Sequence, residues 1–248
     1  MITITLAVLC GVLVGSVLGT LGAGGSVLTV PALIYLLGLA PASATTASLF
    51  IVSVTSIAAL CVHARGGHVR WKKGLLFAAA GIVPAAVTGL ASTRLPEQLL
   101  IAAFALLAAQ AAIMMLRPST PAVACHTAGP VKTAGTGAGL GAVTGLLGVG
   151  GGFLVVPALV SVLSFNMRAA VGTSLLVIIT NSLASLAARA STITALPWAI
   201  VLPFTAAAVS ASWLGKRVGG NVSSTVLQRV FAGILLLVAA AMLADAAL

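Results

Sequence analysis

Acidic side chains are almost missing from this chain of 248 residues: Glu97 and Asp245 are the only two. Both stand at the ends of apolar segments. A carboxylate relay for protons or cations is therefore excluded from the apolar interior, and so is paired-carboxylate catalysis. Cysteine is scarce too. Cys10 and Cys61 lie in apolar segments and Cys125 in a central linker, a spacing that supports neither a disulfide framework nor a zinc site. No metal, no cofactor and no enzymatic activity is expected. Charged residues make up 6% of the chain, against about 25% in a soluble domain. Such a sequence has no polar surface large enough to face water.

What is abundant is apolar surface and glycine. Hydrophobic residues reach 60%, with 27 glycines and a mean hydropathy of +1.24. The expected surroundings are a lipid bilayer. The net charge is +10, but the basic residues mostly sit between apolar stretches, where they act as topology signals. Nucleic-acid binding is not expected.

The chain says one thing twice. Gly11, Gly15, Gly19, Gly22, Gly24, Gly25 and Pro31 return as Gly137, Gly141, Gly145, Gly148, Gly150, Gly151 and Pro157, a constant offset of 126 (157 − 31). Each half divides into five apolar segments: 2–22, 26–40, 44–64, 73–92 and 97–116, then 134–148, 152–165, 170–189, 195–215 and 225–245. The division is thus 1–116 for the first repeat, 117–133 for a linker and 134–248 for the second repeat. Most segments suit a span of about 20 residues across a core of about 30 Å. The second of each half is short and glycine-led, and reads as a broken or re-entrant helix.

Charge placement orients the halves. Arg65, Arg70, Lys72 and Lys73 follow the third segment, Arg117 and Lys132 fall in the linker, and Lys216 and Arg217 follow the ninth segment. By the positive-inside rule all three loops are cytoplasmic. Corresponding loops of the two halves then lie on opposite sides. The expected fold is an all-α polytopic membrane protein built as an inverted-topology repeat. Five crossings per half, or three plus a re-entrant hairpin, satisfy the parity equally. The first stretch lacks a basic lead and a cleavage site, so it reads as a retained span. Trp71, Trp198 and Trp213 read as interface anchors.

The glycines fall into two classes. Gly11-Gly15-Gly19 and Gly137-Gly141-Gly145 form flat helix faces for close packing, in equivalent positions or against each other. Gly24, Gly25 and Ser26, with Gly150, Gly151 and Gly152, are too dense for helix and precede a short apolar run. Backbone N–H groups at a helix start attract an anion; a tight backbone crossing is the alternative. A nucleotide loop is excluded, since neither cluster completes GxGxxG or is followed by Lys-Ser/Thr. Ser48 and Ser174 share the same offset near the start of the third segments, where a hydroxyl caps the helix or donates to a ligand. The match runs on through Ser56 and Ser182 to His63 and Arg189. Arg189 either snorkels to the interface or attracts an anion into a pathway, and His63 is either interfacial or a proton carrier.

The doubled block G-x-x-G-x-G-G-(S/G)-x-x-x-V-P-x-L, each copy followed by A-x-(G/T)-(T/A)-S-L, resembles the sulfite exporter TauE/SafE family of membrane permeases over nearly the whole chain. The first copy departs from the second at Thr45-Thr46-Ala47, opposite Val171-Gly172-Thr173. The resemblance implies an integral transporter of small anions, sulfite and organosulfur compounds being typical, in the bacterial inner membrane. The resulting expectation is an alternating-access carrier in which one half rocks against the other. Gly24, Gly25, Ser26, Gly150, Gly151 and Gly152 supply backbone donors, Ser48, Thr173 and Ser174 supply hydroxyls, and Arg189 and His63 raise the local anion concentration. A passive channel and a non-transporting membrane subunit or sensor are the alternatives. Proton coupling is compatible with a substrate such as sulfite, which titrates near neutral pH. Homo-oligomerisation is left open.

Overall fold

In a computed structural model the chain is helical throughout the described residues, which are 2–21, 25–67, 69–91, 97–116, 129–147, 152–161, 163, 165–189, 193, 196–219 and ten positions between 226 and 241. The helices are α1 (Ile2–Leu21), α2 (Gly25–Pro31), α3 (Pro41–Arg65), α4 (Trp71–Ala91), α5 (Glu97–Leu116), α6 (Pro130–Leu147), α7 (Gly152–Ser161), α8 (Met167–Ala188) and α9 (Trp198–Gly219). Three of them are long and apolar enough to cross a membrane: 42–65, 71–91 and 168–188. Shorter apolar stretches cover Thr3–Gly19 and Trp198–Trp213.

The breaks have local causes. Pro31 closes α2 and opens a wider, π-type turn over Ala32–Leu36, because proline supplies no N–H to the ladder. Gly38, at φ +67°, then ends the element in the left-handed conformation, and its N–H reaches Ile34 O at 3.1 Å. Pro41 does not merely follow the short segment, for it occupies the first turn of α3, where its missing N–H costs nothing. The cap of α8 is Asn166, whose Oδ1 accepts from Ala169 N at 2.8 Å.

Packing between the halves runs through glycine. A side-chain carbon at Gly11, Gly15 or Gly19 would strike the backbone of Phe204, Ala208 or Ser212 on α9. One at Gly137, Gly141 or Gly145 would strike the backbone of Phe77, Gly81 or Ala85 on α4. Instead of meeting each other, the two stripes each take the fourth helix of the opposite half. The two sets match under an offset of 127 (204 − 77), one more than the offset of the stripes. Trp71 and Trp198 open the two equivalent helices, and Phe77 and Phe204 are both fully buried.

The register of these contacts gives the helix directions. Numbers rise together along α1 and α9, and along α6 and α4. Gly74 faces Thr173, Gly81 faces Asn181 and Gly89 faces Ser185, so α4 and α8 are parallel. A short turn through Gly66 and Gly67 reverses the chain between α3 and α4. The starts of α3 and α9 share a cluster with α1 that includes Ala44, Ala47, Cys10, Leu196 and Phe204. The result is two parallel bundles, α1/α3/α9 and α4/α6/α8, running in opposite directions and meeting along α3 and α8. The same directions gather Arg65, Arg70, Lys72, Lys73, Lys132, Arg168, Lys216 and Arg217 at one end of the molecule. At that end Lys73 Nζ lies 5.5 Å from the centre of the Phe165 ring.

Candidate functional site

The seam between the bundles is formed by α3 and α8, which run antiparallel. At one end Arg189, the residue capping the C-terminus of α8, is only 6% exposed. Its Nη1 donates to Thr45 Oγ1 at 3.1 Å across the seam, and Thr45 donates to Ala42 O at 2.9 Å. Ser48, fully buried, stands about one turn further along α3. Arg189 is thus buried and held against the start of α3.

At the other end the equivalent residues gather. His63 sits in the last turn of α3, its Nδ1 3.0 Å from Ala59 O. Thr173 and Ser174 stand near the start of α8, both fully buried. Thr173 Oγ1 accepts from Arg70 N at 3.1 Å, and Ser174 Oγ donates to Val171 O at 2.8 Å. The hydroxyls and cations expected from the sequence thus form two separate groups, Ser48/Arg189, joined by Thr45, and His63/Thr173/Ser174. His63 and Ser48 are fifteen residues apart (63 − 48), or about 22 Å along a helix.

Between the two groups the seam stays polar. Ser56 and Ser182 are fully buried, and neither Oγ has a hydrogen-bond partner among the described residues. Asn181, 1% exposed, also has both amide atoms unpaired among them. It lies against Gly81, where a side-chain carbon would come within 2.9 Å of its Oδ1. Its counterpart Thr55 is satisfied by its own helix, donating to Ile51 O at 2.7 Å. The sequence gives the types and spacing of these residues, but their lack of partners is visible only once the helices are packed.

The glycine clusters are described only at their edges. Gly25 opens α2 and Gly152 opens α7, and α2 and α7 touch each other. Gly24, Gly150 and Gly151 lie outside the described residues, as does the side chain of Ser26. No group of three or more His, Cys, Asp or Glu suited to a metal occurs among the described residues.

Comparison with known proteins draws on the whole chain. The sulfite exporter TauE/SafE family matches residues 7–242. The chain belongs to that family. It is 34% identical over 239 residues to a probable membrane transporter protein of Xylella fastidiosa strain Temecula1, covering 92% of this chain and 90% of that one. A probable membrane transporter protein of Haemophilus influenzae is 28% identical over 179 residues, covering 69% of this chain and 67% of its own length. No solved structure matches. As a TauE/SafE member with apolar helices of spanning length, the protein is an integral membrane protein.

Proposed function

We propose that this TauE/SafE protein is a secondary transporter of a small sulfur oxyanion, sulfite or an organosulfur relative, in the bacterial inner membrane. The observation that carries the reading is the seam. Hydroxyls line it, Arg189 stands at one end and His63 at the other, and no acidic residue other than Glu97 and Asp245 exists in the chain to repel an anion. Neutral donors in a low-dielectric setting hold an anion without a full countercharge.

The two halves form an inverted repeat in this reading. Support comes from the reversed directions of the equivalent pairs α1 and α6, α3 and α8, and α4 and α9, and from the collection of eight basic residues at one end, which is then cytoplasmic. The same packing alters what moves. Each half donates one helix to the bundle of the other, so the rocking bodies are α1/α3/α9 and α4/α6/α8 rather than the two repeats. In this reading Gly24, Gly25, Ser26, Gly150, Gly151 and Gly152 supply backbone donors, Gly25 opening α2 and Gly152 opening α7. Backbone at membrane depth is tolerated where it faces protein or a wet path.

The test is flux of sulfite, sulfate, thiosulfate and sulfoacetate in proteoliposomes, with and without a pH gradient. Saturable flux of one anion with counterflow is expected, weakened about tenfold or more by Gly25→Leu or Gly151→Leu in folded protein. Flux that rises linearly without counterflow contradicts a carrier, and absence of flux for every anion removes the sulfur-anion reading.

A further inference from the structure

Two buried hydroxyls stand part-way along the seam between the bundles. Ser56 and Ser182 are equivalent under the 126-residue offset of the two halves (182 − 56). Both are fully buried, and neither has a hydrogen-bond partner among the described residues. Helical periodicity puts both on the seam. Ser182 lies at i−7 from Arg189, two turns back on the same stripe, and Arg189 reaches across to Thr45 of α3. Ser56 lies at i+11 from Thr45, three turns along the stripe that faces α8. Ser56 is about 16 Å along α3 from Thr45, and Ser182 about 10 Å along α8 from Arg189. The pair therefore stands between the end groups, one hydroxyl from each bundle.

A buried hydroxyl without a partner is unfavourable. Other buried hydroxyls on these helices avoid this by bonding backward to their own backbone. Ser53 donates to Leu49 O at 2.7 Å, Thr55 to Ile51 O at 2.7 Å and Ser174 to Val171 O at 2.8 Å. Ser56 and Ser182 do not, and the exception occurs twice, at equivalent positions. A packing explanation would use alanine there.

We propose that Ser56 and Ser182 form the mid-membrane binding step for a small oxyanion, one O–H donated from each bundle. The inference rests on the transport reading and deepens it. An anion with several oxygens, such as sulfite, accepts from both hydroxyls through different oxygens as it passes between the Arg189 and His63 ends. Because the two donors are equivalent, the step treats approach from either end alike, which suits a carrier whose bundles exchange access.

The experiment uses the intact protein in nanodiscs, with sulfite as the probe. Affinity is read by calorimetry, flux in proteoliposomes, and unfolding temperature without anion. Ser56→Ala and Ser182→Ala are each expected to weaken sulfite binding about tenfold or more, by similar factors. Their unfolding temperature without anion should be unchanged or higher, since an unsatisfied hydroxyl has been removed. Ser56→Cys, similar in volume and a weak donor, should show the same loss and control for packing. Unchanged affinity and flux in both alanine variants overturn the proposal and leave the transport reading standing. Affinity that falls only together with unfolding temperature overturns it as well, by making the hydroxyls structural. If the wild-type protein neither binds nor carries sulfite, the transport reading falls and takes this step with it.

Discussion

Arg189 is the residue whose placement constrains function most. A central arginine costs about 2.5–3.5 kcal/mol on insertion scales, yet this one is buried and turned inward, onto Thr45, at the end opposite the basic cluster. In the proposed transporter a charge there steers anions from that face, and its field is screened by salt. Arg189→Met is expected to lower kcat/KM about tenfold or more at low ionic strength, with a smaller deficit at high salt, while Arg189→Lys keeps most of the rate. Flux measured across a salt series checks this, and a deficit independent of salt would contradict the steering role. The sequence identified Arg189 as a charge needing a partner, because it follows an apolar helix without an acid nearby. It did not identify Thr45, since a contact between residues 45 and 189 depends on α3 and α8 packing antiparallel. Asn181 was legible as a polar residue on the same segment, but its unpaired amide and the room made by Gly81 were not.

At the level of elements, the helix boundaries were largely readable from glycine, proline and hydropathy. Eight of the nine described helices coincide with expected segments to within a few residues, whereas α2 stops at Pro31, nine residues short of the expected end at 40. Partner choice was not readable. Both glycine stripes promise close packing, but which backbone fills them is decided by the whole bundle. The stripes also make a sharp prediction. Gly141 meets the backbone of Gly81, whereas Gly139, two residues away on the same helix, faces nothing within 4 Å. Gly141→Ala should destabilise by about 1–3 kcal/mol, because backbone rather than a movable side chain must shift. Gly139→Ala should be neutral or stabilise by up to about 1 kcal/mol through helix propensity. Unfolding of both variants in the same detergent compares them directly, and equal effects would contradict the packing described.

For the whole molecule, the duplication was legible in the sequence, whereas the grouping of its helices into bundles was not. The constant offset of 126 holds for the stripes and seam helices and slips to 127 at α4 and α9, a one-residue shift hidden by the weak similarity of those helices outside Trp71/Trp198 and Phe77/Phe204. Exchange of a helix between bundles is invisible to a repeat alignment, which pairs like with like and says nothing of contacts. It interlocks the halves, so in the proposed carrier the bodies that rock are the mixed bundles, with the polar seam between them.

The account depends most on equivalent helices pointing opposite ways through the membrane. Lys72 and Ala199 are equivalent positions near the starts of α4 and α9, and both are exposed. With Cys10, Cys61 and Cys125 replaced, Lys72→Cys and Ala199→Cys can be labelled in intact cells with a membrane-impermeant maleimide. The account predicts that the variant at 199 labels from outside, whereas the variant at 72 labels only after the membrane is opened. Labelling of both from the same side would contradict it.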